Sequence, residues 1–360
     1  MKNLKRRAFL RVLSLLLLVL VPFAGCVQKK EIAKEDQWFQ MVVLPDTQYY
    51  TAEKHGGTME MFEQQIEWIL QNYKNEKIAY VAHLGDISDH GEQYPIEWER
   101  ARNVMYKLEK PRPGLPDGIP YGVAVGNHDT SPNGVPKQLK TGYEASFGRD
   151  RFLGRAYYGG AFNDRNENDS HFDLFSAGGQ DFLVLYLAFN EKGNKGYDEQ
   201  YEKETFEWAG KVLENHKNRK AIIVSHSILK RPAKTNSHFE PNGGNNEIQS
   251  NFTAQGKSIY NYFKVYPNVF MTLSGHISGE GYRVENFNGN TIKMYLSDYQ
   301  SRRNAPYTEK DRNGGNGLMR LMKFNVTKGT LSVRTMAPRK DGKHIWEEDG
   351  DSMFTHSLYR

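Results

Sequence analysis

Apolar runs of about four to six residues recur along the chain, each closed by small or polar residues, and they predict buried strands. Met41 to Leu44 ends in Pro45-Asp46-Thr47-Gln48, and Ala79 to Leu84 ends in Gly85-Asp86-Ile87-Ser88-Asp89. Gly122 to Val125 runs into Gly126-Asn127-His128-Asp129, Ala221 to Val224 into Ser225-His226, and Val269 to Leu273 into Ser274-Gly275-His276. Five predicted strand ends therefore carry oxygen or imidazole donors and converge on one edge. Between the first strands the period changes. Phe62, Ile66, Ile69, Leu70 and Tyr73 recur at helical spacing between Thr58 and Lys74. Ile96, Trp98, Ala101, Val104, Met105 and Leu108 do the same after Pro95, which suits a helix's first turn. Further helices are expected from about Glu199 to His216 and near Ile259 to Val265.

The second half is rich in hairpins. Phe172–Phe175 and Phe182–Phe189 flank Ala177-Gly178-Gly179-Gln180, Tyr282–Glu285 and Thr291–Leu296 flank Asn288-Gly289, and Leu318–Val326 and Leu331–Met336 flank Thr327-Lys328-Gly329. The strand–helix alternation followed by hairpins predicts an α/β chain: two sheets packed as a β-sandwich, with helices outside. Residues 130–170 read as a long irregular insertion over the site. Its aromatics, Tyr143, Phe147, Phe152, Tyr157, Tyr158 and Phe162, are expected to pack locally because no basic residues interleave with them. The tail from Ala337 to Arg360 is polar and gives no element pattern.

The formal charge of +5 suggests a basic surface until its source is located. Lys2, Lys5, Arg6, Arg7 and Arg11 precede residue 26, where no acid occurs, so the remaining 43 basic residues balance 43 acidic ones. Nothing in the bulk charge or its distribution suggests a nucleic-acid partner. Residues 1–25 have the form of a signal peptide: a basic start, an apolar run from Val12 to Val21, and Phe23-Ala24-Gly25 before Cys26. Cys26 is the only cysteine, so no internal disulfide exists. The small residues before it resemble a bacterial lipobox, which implies lipidation at Cys26 and a membrane anchor. A simple signal peptide with an incidental cysteine is the other reading. Lys5-Arg6-Arg7-Ala8-Phe9-Leu10-Arg11 resembles a twin-arginine export signal. Residues 26–37 then read as a tether and 38–336 as the domain.

Carboxylate, amide and imidazole donors without a thiolate suit a hard or borderline divalent ion such as Mn, Fe, Zn or Mg. Taken in order, Asp46-Thr47-Gln48, Gly85-Asp86-x-x-Asp89, Gly126-Asn127-His128-Asp129, His226 and Gly275-His276 resemble the calcineurin-like metallophosphoesterase family. The resemblance implies a four-layer αββα fold and two divalent metals. It implies Asp86 as the bridge between them, Asp46 and Gln48 at the first metal, and Asn127, His226 and His276 at the second. His128 is implied as the group facing the phosphoryl oxygen or leaving alkoxide, with Asp129 or Asp89 orienting its neighbours. Where the family has Asp-x-His and Gly-His-x-His, this chain has Gln48 and Ser278. Both changes fall on the first metal, so that site is expected to be weak, exchangeable or water-rich. His83 is expected in the core and His90 in a solvated loop, or as a substitute donor for the first metal. Asp298, Arg302 and Arg303 are candidates to hold substrate phosphate or to form a solvated turn. Two functions follow: an exported phosphoesterase acting on phosphomonoesters or phosphodiesters, or a lipoprotein that binds phosphate or glycan without turnover.

Overall fold

The structure is a computed structural model and describes residues 36–135, 140–232 and 249–358. Cys26 and the predicted signal and tether up to residue 35 lie outside the described residues. From Asp36 onward the chain forms one compact unit.

Its strands are β1 (Trp38–Leu44), β2 (Ile78–His83), β3 (Tyr121–Val123), β4 (Tyr158–Ala161), β5 (His171–Ala177), β6 (Gln180–Leu187) and β7 (Lys220–Ser225). They continue with β8 (Val269–Ser274), β9 (Gly279–Phe287), β10 (Asn290–Asp298), β11 (Met319–Asn325), β12 (Thr330–Ala337), β13 (Ile345–Glu347) and β14 (Met353–Ser357). The helices are α1 (Gln48–Thr51), α2 (Met59–Asn72), α3 (Ile96–Met105), α4 (Thr141–Phe147), α5 (Arg149–Phe152), α6 (Glu199–Asn215) and α7 (Ala254–Phe263). One sheet has the order β13-β12-β11-β1-β2-β3 with β14 also on β12, and the other runs β4-β5-β6-β7-β8-β10-β9.

The period of two along β1 sorts its side chains into two cores. Val42 and Leu44 join Phe62, Ile66, Ile69 and Trp98 in the layer under α2 and α3. Met41 and Val43 join Tyr80, Phe182, Val184, Ile222 and Val224 between the sheets. Leu183, Leu185, Ile223 and Leu296 pack beneath α6 and α7 on the outer face of the second sheet. The result is the expected helix–sheet–sheet–helix stack.

Three expectations change. The tail supplies β13 and β14, with Trp346 opposite Met336 and Phe354 opposite Val333, while Leu358 is buried between the sheets. The domain therefore continues past residue 336. The 130–170 segment is not irregular throughout: it forms α4, α5 and β4. Tyr143, Phe147, Phe152 and Tyr157 pack in the core beside α3, as local packing requires. Ile96, read as near the buried face of α3, is exposed.

Candidate metal centre

The strands that carry the expected donors end together, but on two sheets rather than one edge. β1, β2 and β3 are parallel neighbours in the first sheet, and β7 and β8 are parallel neighbours in the second. Their carboxyl ends form the mouth between the sheets, where parallel α/β sheets hold ligands.

Two of the donors are oriented by a bond to their other end. His226 Nδ1 donates to the Leu84 carbonyl at 2.9 Å, which leaves Nε2 3.1 Å from Asp86 Oδ2 and 3.2 Å from Asn127 Oδ1. Asn127 Nδ2 donates to Asn133 Oδ1 at 2.8 Å, so the amide oxygen is the end presented to His226. Asp86, His226 and His276 each bring a donor atom within 4.8 Å of the others. Fixing a ligand through its far atom is how protein metal sites set ligand direction. Burial opposes ionisation of Asp86, yet His226 and His128 hold its carboxyl well below the usual range.

The glycines of the motifs have a steric reason. A Cβ on Gly275 would lie 2.1 Å from Asp46 Oδ1, and one on Gly126 would lie 2.1 Å from Asp86 Oδ1. Asp86 and His276 themselves adopt left-handed backbone, with φ of 50° and 69°. Two ligand-type residues held in a conformation that L-residues rarely adopt are what a site organised for function shows.

Asp46 is buried and accepts the His276 amide, at 3.1 Å on Oδ2. Burial, then the charges of Asp298 and Asp86, push its carboxyl well above the usual range. Gln48 donates through Nε2 to Asp86 Oδ2 at 3.2 Å, while its Oε1 is buried with no hydrogen-bond partner among the described residues. A buried amide oxygen without a donor, beside crowded carboxylates, is the pattern a cation would complete. The residues present fit a divalent metal centre. Ser278 does not replace the missing imidazole with a free donor: its hydroxyl lies 3.2 Å from Asp298 Oδ2 and 2.7 Å from Ser301 Oγ.

His128 stands next to these donors. Its backbone N–H donates to Asp86 Oδ1 at 2.9 Å, and its Nδ1 lies 3.0 Å from both the carbonyl oxygen and Oδ1 of Asp89. Burial lowers its affinity for a proton, but Asp86 and Asp89 outweigh this and push the imidazole up to about 10. Lys54 also pairs with Asp89, and Glu97 Oε2 accepts the Asp89 and His90 amides at 2.8 Å each. Asp129 is not beside the ring. Its carboxylate is fully buried and accepts from the Ile87, Ser88 and Gly126 amides at 3.0, 3.0 and 2.9 Å. It clamps the loop after β2 to the loop after β3, so Asp89 is the residue that orients His128.

His83 is in the core, as expected. It accepts the Gly85 amide on Nδ1 and reaches Thr47 Oγ1 from Nε2 at 2.9 Å, tying the first two motifs together. His90 groups with Asp89 and His128 rather than with Asp46 and Gln48. The expectation for Arg302 and Arg303 is corrected. Arg302 is buried and donates to Glu280 Oε2 at 3.1 Å and Glu347 Oε2 at 2.7 Å, and Arg303 pairs with Glu309. Neither guanidinium is left for phosphate. Asp298 is not a solvated turn but a buried carboxylate ending β10, which runs parallel to β8.

Glu191 was not foreseen. It follows β6, accepts from Ser227 Oγ at 2.9 Å and the Ala254 amide at 3.0 Å, and stands 3.9 Å from His276 Nε2. The signal was present, since the run to Phe189 also ends in polar residues. Phe189 forms an apolar wall, its ring 5.8 and 5.3 Å from those of His226 and His276. Beside His128, an open depression of about 370 Å³ is lined by His90, Gln93, Thr130, Pro132 and Asn133. Among the described residues of the 130–170 segment, this first part, Thr130 to Asn133, lines the depression.

Comparison with known proteins agrees with this geometry. The chain is 29% identical over 331 residues to the uncharacterized Bacillus subtilis protein YvnB, covering 90% of this chain and 22% of that one. It thus spans about a fifth of that relative's length. A dimetal phosphatase from Danio rerio shares the fold, with a TM-score of 0.51 at 14% identity over 90% of this chain and all of the other. Residues 40–279, most of the described domain, match the calcineurin-like phosphoesterase family, and the chain belongs to that family.

Proposed function

We propose that this protein is an exported hydrolase of phosphate monoesters or diesters, with its reaction centred on His128 and the donors around Asp86. The observation that carries the reading is the Asp89–His128 pair set against the Asp86–Asn127–His226–His276 donors. A pure binding site has no need of an imidazole locked in this way. Asp46, Gln48 and Asp86 would hold one divalent ion, and Asp86, Asn127, His226 and His276 the other. When bound, the pair supplies hydroxide at neutral pH and neutralises the phosphoryl oxygens. With Nδ1 committed to Asp89, His128 has Nε2 left to hold a proton for the phosphoryl oxygen or the departing alkoxide. The depression at Gln93, Thr130 and Asn133 would receive the leaving group, whose polar lining suits a hydroxylated alcohol. The first position, with Ser278 tied to Asp298 and Ser301, is the weaker of the two.

Export rests on the signal-like segment and Cys26, and the proposed anchor is a lipid on that cysteine. Replacement of Cys26 by Ala should move the protein from the membrane fraction to the soluble one.

The deciding experiment is hydrolysis of p-nitrophenyl phosphate and bis-p-nitrophenyl phosphate by the purified protein, titrated with Mn, Fe, Zn and Mg. Metal-dependent turnover that His128→Ala abolishes is the expected result, and the preferred ester defines the substrate class. Metal binding with no turnover by the wild type under any metal would overturn the hydrolase reading in favour of a binding lipoprotein.

A further inference from the structure

The first metal position lacks the second histidine of Gly-His-x-His, and the segment that ends β10 stands beside the serine found there instead. β9 and β10 run antiparallel with Asp298 opposite Gly279, so the end of β10 reaches Ser278. Ser278 Oγ lies 3.2 Å from Asp298 Oδ2 and 2.7 Å from Ser301 Oγ. Gln300 folds back on the same carboxylate: its backbone N–H donates to Asp298 Oδ1 and its Nε2 to Asp298 Oδ2, each at 2.9 Å. One carboxylate oxygen thus holds both the Ser278 hydroxyl and the Gln300 side chain. The charge of Asp298 also weighs more on the Asp46 carboxyl than that of Asp86 does, which places this turn at the first position.

Two amides here share one pattern. Gln48 gives its Nε2 to Asp86, and Gln300 gives its Nε2 to Asp298. An ionised carboxylate only accepts hydrogen bonds, so it fixes which end of each amide it holds. The oxygens are left over: Oε1 of Gln48 and Oε1 of Gln300 are both buried, with no hydrogen-bond partner among the described residues. A buried amide oxygen is costly to leave without a donor, and a cation satisfies it. The neighbouring imidazoles are committed elsewhere. His226 and His276 group with Asp86, His90 groups with Asp89 and His128, and His83 is tied to Thr47 and Gly85.

We propose that Gln300 is an oxygen ligand of the first ion, standing in for the missing imidazole, and that this position takes a hard ion of the Mn or Mg class while the second takes Zn or Fe. The first set is then Asp46, Gln48, Asp86 and Gln300, all oxygen donors, whereas the second contains the imidazoles of His226 and His276. Carboxylate and carbonyl oxygens suit Mn and Mg, and imidazole suits Zn and Fe. Asp298, with both oxygens already accepting hydrogen bonds, stays behind Gln300 and aims its amide, as partners beyond the ligands do in metal sites. The inference rests on the two-ion reading of the centre and not on turnover.

The test is Mn titration of the full chain already carrying one equivalent of Zn, with free Mn read by electron paramagnetic resonance and bound Zn by elemental analysis after desalting. Wild type should bind one Mn beside the retained Zn, and Mg should compete for that Mn. Gln300→Met, which keeps the length of the side chain without its oxygen, should keep its Zn and bind Mn about tenfold or more weakly. In Ser278→His a second equivalent of Zn should displace the Mn at about tenfold lower Zn than wild type needs. Wild type that binds no Mn, Mn that expels the Zn, or an unchanged Mn affinity in Gln300→Met would each overturn the proposal. Should Gln300→Met lose its Zn as well, Gln300→Glu replaces it: the added charge should tighten Mn about tenfold, and unchanged affinity overturns the ligand role. Wild type that carries both ions in this way without hydrolysing either ester would support the inference while overturning the hydrolase reading.

Discussion

At the scale of single residues, the proposed reaction would separate side chains that touch it from those that aim them. In that reading Asp89 is a positioning residue: it meets His128 Nδ1 at 3.0 Å and is itself held by Lys54 and by Glu97 through its amide. Asp89→Asn keeps an oxygen for the bond but removes the charge that favours a proton on His128. A fall in kcat of about 10- to 100-fold is expected, with KM nearly constant. Metal content, measured by elemental analysis, should not change, because Lys54 already neutralises Asp89. A parallel loss of metal would instead make Asp89 a ligand. Ser278 is the opposite case: its hydroxyl is held by Asp298 and Ser301, and in the proposed site it would leave the first ion short of a donor. Ser278→His should raise metal retention after dialysis by about tenfold, as an imidazole donor replaces a hydroxyl. Unchanged stoichiometry and affinity would show that Asp298, beside Asp46, already supplies what the family's histidine supplies elsewhere.

Elements position these residues through their connections. Asp129 joins the loops after β2 and β3 with one carboxylate and three backbone amides, all buried. Asp129→Ala would strand those amides and cost about 3 kcal/mol or more, seen as a lower urea midpoint. Because the two loops carry Asp86 and Asn127, metal affinity should fall with stability. A catalytic role would lower kcat and leave both intact. This is also where the sequence could mislead: Asp129 adjoins His128 in the motif, but the turn sends its carboxylate back under β2. The strand ends themselves were legible, because an apolar run closed by Gly-Asp, Gly-Asn-His or Gly-His leaves few alternatives. The tail was not legible. β14 alternates exposed Met353, Thr355 and Ser357 with half-buried Phe354 and His356, as an edge strand does, and its pairing with β12 is a long-range event with no local signature. Arg302 and Arg303 misled for a related reason: an arginine near a strand end reads as phosphate-binding unless its partners, Glu280 and Glu347 for Arg302 and Glu309 for Arg303, are known from the fold.

For the molecule as a whole, the two-sheet interior contains titratable groups outside the donor set of the metal centre, and they contribute to how stability responds to pH. His171, on β5, is 1% exposed, stacks on Tyr186 with rings 4.3 Å apart, and donates from Nδ1 to the Asn168 carbonyl at 2.6 Å. Burial lowers its pKa from 6.5 to about 4. Below pH 6.5 the unfolded chain therefore binds a proton that the folded chain refuses. Stability falls as pH drops through that window, by about 3 kcal/mol from this residue once pH reaches the folded value. Asp173 acts in the opposite sense. Its carboxyl, buried against Tyr80, is pushed well above the usual range, so acidification favours the folded form at that position. The total curve mixes both groups with whatever the metals release, and the informative quantity is a difference between two proteins. His171→Gln keeps a donor for the Asn168 carbonyl and removes the titration. Urea unfolding of both proteins from pH 7 to 4 should show a smaller loss of stability in the variant, the slopes differing by close to one proton near pH 5. Equal slopes would mean that the folded sandwich opens enough to admit a charged imidazole, and that the stack on Tyr186 does not close this part of the core.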